Sequence, residues 1–168
     1  MDVMSPDRRQ RRKKSASAPA PAVAHARPSA DAVHEIVFFR RHPTDDPHRR
    51  TPGREALNAW PTKVRATARA ALRAVAEAPP KRFAGGGYWE AMHGEMTGWF
   101  EVRVDGPGRR HYRLFCRLDY EAEGRHNPLL VVIDGRDKPF RTALTDSDYA
   151  QVRALGDEYF SRNPRSVV

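Results

Sequence analysis

The segment Trp99-Phe100-Glu101-Val102-Arg103-Val104-Asp105-Gly106-Pro107-Gly108-Arg109-Arg110-His111-Tyr112-Arg113-Leu114-Phe115-Cys116-Arg117-Leu118-Asp119 reads as two strands joined by a tight turn. In the first strand Phe100, Val102 and Val104 alternate with Trp99, Glu101 and Arg103. In the second, Tyr112, Leu114, Cys116 and Leu118 alternate with His111, Arg113, Phe115 and Arg117. Successive strand residues point to opposite faces, so period-two alternation marks a half-buried strand. Asp105-Gly106-Pro107-Gly108 supplies the turn, with glycines free to take positive φ. One face of the hairpin is therefore apolar. The other carries arginines, a histidine and a glutamate, and chemistry is expected there.

The flanking elements extend this unit. His34 to Phe39 reads as a first strand. Arg40 to Gly53 holds three prolines and reads as an irregular loop. Its His42 and His48 have no companion at ligand spacing, so no metal site is expected. From Arg54 to Ala78, Leu57, Trp60, Val64, Ala68, Ala71, Leu72 and Val75 recur at steps of three and four, an amphipathic helical stripe. Pro61 belongs in a first helical turn, so one helix ends at Trp60 and a longer one begins at Pro61. Lys63, Arg65, Arg69 and Arg73 form its outward face. Lys81 to Thr97 reads as a loop, and its Gly85-Gly86-Gly87 fits neither a phosphate loop nor a dinucleotide fingerprint. No cofactor is expected.

Beyond the hairpin, Leu129-Leu130-Val131-Val132-Ile133 is a continuous apolar run, as in a central strand covered on both faces. Asp134 to Lys138 ends it with charge. Thr145-Asp146-Ser147-Asp148 reads as a capped start for a last helix, whose apolar stripe is Tyr149, Val152, Leu155, Tyr159 and Phe160. The predicted order is β-α-α-β-β-β-α, an α+β domain over residues 31–168.

The 168 residues suit one ordinary domain. Cys116 is the single cysteine, so no internal disulfide can form, which fits a reducing cytoplasm. Its apolar register assigns it to packing. No apolar run approaches a membrane span, and the basic start lacks the apolar core of a secretory signal. Net charge is +9. Residues 1–30 carry seven basic side chains against two acidic ones and read as a disordered tail, with its densest run from Arg8 to Lys14. A basic fold with a basic tail points to nucleic acid or an acidic protein partner.

Three strands deliver cations to one region. Arg103 and Arg113 share a side of the hairpin by parity, and Arg136 and Lys138 lie at the mouth of the central strand. A cation cluster without matching carboxylates suits a polyanion, and arginine grips phosphate bidentately.

Four segments together resemble the RelE/ParE superfamily of toxin–antitoxin toxins, in its HigB-like, phage-derived branch. They are Leu57 to Arg65, Gly98 to Val104, Tyr112-Arg113-Leu114-Phe115, and the apolar strand ending in Gly135-Arg136-Asp137-Lys138. The resemblance implies a small, mostly antiparallel four-stranded sheet with helices packed on one face. It implies a cytoplasmic, ribosome-dependent mRNA endonuclease, restrained by a cognate antitoxin of helix-turn-helix type. The chemistry implied is attack of a ribose 2′-hydroxyl on the adjacent phosphate. Arg113, Arg103 and Arg136 or Lys138 match cation positions that would stabilise the phosphorane. His111 and Tyr159 are the acid–base candidates. Arg113 is expected to project away from the core, and Glu101 to be a structural partner of Arg103 or Arg113 rather than a base. Asp137 interrupts the basic run after the last strand, and the basic tail is no part of the family pattern. Two alternatives remain open: a ParE-like topoisomerase poison, and a degenerate toxin that keeps only the fold as a binding domain.

Overall fold

The computed structural model describes residues 27–78, 80 and 87–168. Most of the tail, including Arg8 to Lys14, and Gly85-Gly86 lie outside the described residues. β3 (Phe100–Gly106) and β4 (Arg110–Asp119) form the hairpin, with Phe100 opposite Cys116 and Arg103 opposite Arg113. In its turn the positive φ values fall at Gly108 and Arg109. Gly106 is needed for another reason: a Cβ there would stand 2.5 Å from Val64 and 2.6 Å from Tyr112. The strand end therefore passes directly beneath a helix.

Five strands make one sheet in the order β1-β5-β4-β3-β2. β1 (Glu35–Phe38) runs parallel to β5 (Leu129–Pro139), and the other pairs are antiparallel. The expected four strands become five because β2 (Trp89–Ala91), within the segment read as a loop, pairs with Phe100 to Val102. Three residues are too few to show a period, which is why it escaped the sequence. Asp134 to Lys138 does not end β5, which runs on to Pro139 with its charged half paired to β4.

The helices lie on both faces, not one. α1 (Pro52–Ala59) and α2 (Thr62–Glu77) bury Leu57, Val64, Ala68, Leu72 and Val75 against Val102, Val104, Tyr112, Leu114, Cys116, Leu130 and Val132. α3 (Asp146–Phe160) buries Val152 and Tyr159 on the opposite face, against Trp99, Phe115, Leu129, Val131 and Ile133. Each such buried aliphatic side chain contributes about 1.5–3 kcal/mol relative to exposure. The run Leu129 to Ile133 alternates between the two cores, so both faces need a cover. A capping box opens α3: the Thr145 hydroxyl accepts from the Asp148 N–H, and the Asp148 carboxylate accepts from the Thr145 N–H. No helix among the described residues is long and apolar enough to cross a membrane.

One irregularity positions the charged residues. Phe115 pairs with Asp134 and Cys116 with Val132, so Ile133 is an extra residue in β5. Such a bulge shifts side-chain parity by one. Without it Asp134, Arg136 and Lys138 would continue the parity of Leu130 and Val132 and face α1 and α2. With it they turn to the α3 side.

Candidate active site

Three rows of side chains cross β3, β4 and β5 on the α3 side of the sheet. Glu101, Phe115 and Asp134 stand opposite one another; next come Arg103, Arg113 and Arg136, then Asp105, His111 and Lys138. Directly opposed residues have Cβ atoms about 5 Å apart, so the three guanidinium stems form one continuous band. Tyr149, in the first turn of α3, stands edge-on to Phe115 at 6.2 Å.

The band is matched by acids, which corrects the expectation of unpaired cations. Arg103 ion-pairs with Glu90 and lies 3.5 Å from a Glu101 oxygen. Arg113 lies 3.5 Å from the other Glu101 oxygen. Arg136 holds Asp134 at 2.9 Å and Asp148 at 3.3 Å, and donates to Gln151. Lys138 donates to the Thr142 carbonyl at 2.7 Å. His111 sets Nδ1 against Asp105 at 2.5 Å and stacks on Phe140. Sequence parity placed Arg103 and Arg113 together, but it took the bulge to bring Arg136 and Lys138 beside them, and nothing in the sequence placed Glu90, Asp134 or Asp148, which reach the cations from another strand, the same strand and a helix.

Two residues differ from expectation more sharply. Arg113 leaves the apolar core of α1 and α2 but is only 7% exposed. Tyr159 does not join the cluster. It is 1% exposed, and its hydroxyl donates to Asp119 at 2.7 Å, at the far end of β4. Asp119 is six residues along the strand from Arg113, about 20 Å away. Burial, then the bond to Asp119, pushes the Tyr159 hydroxyl far above its ordinary value. Its place in the fold is structural, in a network closed by Arg165 on the same carboxylate at 2.7 Å. The α3 stripe was legible; this buried partner was not.

Glu101 stands between Arg103 and Arg113, as expected of their structural partner. Burial pushes its carboxyl above the ordinary range, although Arg113 and Arg103 pull it down. Both guanidinium contacts are long for charge-assisted hydrogen bonds, so they do not offset desolvation. A carboxylate in that state is a competent proton acceptor. Burial, with the Glu101 charge adding to it, raises the Tyr149 hydroxyl, so Tyr149 stays a donor at neutral pH. Beside the band lies a groove of about 800 Å³, bordered by Lys63, Thr67, Tyr88, Arg103, His111 and Arg113. It gives solvent access to the arginines from the open end of β3. Cys116 is fully buried, and burial raises its thiol strongly, which removes it as a nucleophile.

No protein-family model, curated protein or solved structure matches this chain.

Proposed function

We propose that this chain is a ribonuclease of the kind its resemblance implies, a RelE/ParE-type toxin that cleaves mRNA on the ribosome and is restrained by an antitoxin. The observation that carries the reading is Glu101, desolvated between Arg103 and Arg113, the two arginines that border an open groove. In this scheme Glu101 takes the 2′-hydroxyl proton. Arg113 and Arg103 exchange their long carboxylate contacts for the non-bridging phosphate oxygens as charge develops there. His111, oriented by Asp105 on one ring nitrogen, returns a proton to the departing 5′-oxygen from the other. The proton leaves one oxygen and another arrives at the leaving group, so the transfer is balanced. Preorganised donors of this type each supply about 10²–10³ in rate.

The ion-paired state of Arg103 and Arg136 favours a second reading, a fold kept for binding alone. Induced expression with mapping of mRNA 5′ ends separates the two. Growth arrest with new cleavages inside translated frames supports the nuclease. In that background Arg113→Lys should be impaired, since a point charge cannot reproduce two parallel contacts. Arrest with intact mRNA and a DNA-damage response selects a topoisomerase poison instead. Absence of any phenotype selects the binding domain. If Glu101→Gln folds and remains fully toxic, the assigned proton acceptor is wrong.

A further inference from the structure

The cations of this protein fall into two populations. The three arginines of the sheet-face band are matched by acids. The cations on α2 are not: Lys63, Arg65, Arg69 and Arg73 ion-pair with no described residue, and Arg65 and Arg69 reach only the carbonyl and side chain of Asn58. Lys63, Arg69 and Arg73 are exposed; the exposed positions between them are Ala66 and Ala70, and Ala74 and Glu77 continue that face. At 1.5 Å per residue, Lys63 to Arg73 spans about 15 Å. Lys63 is shared with the groove beside the arginine band. The groove's rim also holds Tyr88, which at 52% is one of only three large apolar side chains exposed among the described residues.

We infer that α2 and Tyr88 form the track that carries single-stranded RNA to the arginine band, with phosphates on Lys63, Arg69 and Arg73 and a base stacked on Tyr88 in the groove. The inference rests on the ribonuclease reading and deepens it by naming how the substrate is held. Single-strand binders combine a cationic track with exposed aromatic platforms, and both are present here in one continuous surface. An acidic protein is the poorer fit. Protein interfaces need buried apolar or aromatic anchors, and the stripe between the α2 cations is alanine. A membrane surface fits no better, because an interfacial helix inserts large apolar side chains that this face lacks.

The test uses the full chain and a fluorescein-labelled 12-nucleotide 2′-O-methyl oligouridine, which lacks the nucleophile and cannot be cleaved. Binding is followed by anisotropy over a salt series. Arg69→Ala/Arg73→Ala should weaken binding at least about fivefold at low salt. It should also flatten the salt dependence by about 1.4 in slope, at about 0.7 for each phosphate no longer neutralised. Tyr88→Ala should weaken binding at least about fivefold with the slope unchanged, and Tyr88→Phe should restore it. All these positions are exposed, so melting temperatures should match the parent. Parent-like binding by either alanine variant overturns the inference. So does displacement of the oligonucleotide by deca-glutamate at equal charge concentration, which selects an acidic protein partner. Failure of the unmodified chain to cleave RNA overturns the ribonuclease reading alone, because this probe reports binding without cleavage.

Discussion

Two largely buried carboxylates on the same sheet are driven in opposite directions. Burial would raise Asp119, but hydrogen bonds from Arg165, the Glu121 N–H and Tyr159 outweigh it, and its carboxyl lies below the ordinary range. Glu101 lacks contacts of that quality, and burial wins. The signs for stability follow by linkage. The Asp119 contribution is present above its unfolded value near 4 and is lost as pH falls through the lower folded value. The Glu101 contribution is fully present below its unfolded value and is lost as pH rises through its higher folded value, so ionisation at neutral pH works against the fold. Melting curves between pH 3 and 8 should therefore show Asp119→Asn destabilised at pH 7, with the deficit shrinking below pH 4. Glu101→Gln should be as stable as the parent or more so at pH 7, with the gain vanishing in acid. A destabilised Glu101→Gln at neutral pH would make Glu101 a structural ion-pair partner. Arg165→Ala, which strands the Asp119 charge, should cost about 3 kcal/mol by urea titration.

The helices make separable demands. α2 turns Val64, Ala68, Leu72 and Val75 to the sheet and its cations to solvent. Leu72→Ala should lose about 2–5 kcal/mol through the cavity it leaves, and Arg69→Ala less than about 0.5 kcal/mol. Equal sensitivity at both positions would overturn the assignment of the buried stripe. α3 carries a subtler requirement. A Cβ on Gly156 would collide with the Trp99 ring. That glycine lets the helix lie close over the hairpin, and no capping or turn rule demands it. Gly156→Ala should gain in helix propensity yet destabilise by about 1–3 kcal/mol, because overpacking prevails. A stabilised Gly156→Ala variant would mean that α3 rides higher on the sheet.

At the scale of the molecule, one sheet separates two cores that share its central strands. Leu72 in one and Val152 in the other lie on opposite faces of the sheet, whose strands β1, β4 and β5 contribute to both cores. Leu72→Ala and Val152→Ala should therefore add within about 0.5 kcal/mol in the double variant. Both should shift the same single urea transition, since neither core can persist once the sheet opens. Two transitions, or strong coupling, would show that the faces are not independent layers on one support. The charge layout belongs to this scale too: the arginine band on the sheet is paired with acids, whereas the α2 cations ion-pair with no described residue.

Local pattern determined much of this protein. Alternation over Phe100 to Leu118 specified the hairpin, steps of three and four specified the stripe of α2, and Thr145-x-x-Asp148 specified the start of α3, because each signal repeats within a few residues. The apolar run Leu129 to Ile133 even carried the requirement for cover on both faces. Tertiary structure decided the rest. β2 is too short to show a period and exists because β3 offers it an edge. The bulge at Ile133 turned Arg136 and Lys138 towards Arg113, a change of face that no residue type announces. The raised carboxyl of Glu101 and the anchoring of Tyr159 on Asp119 arise only through burial. Burial depends on which distant elements pack above a side chain, and nothing in its neighbours along the chain records that.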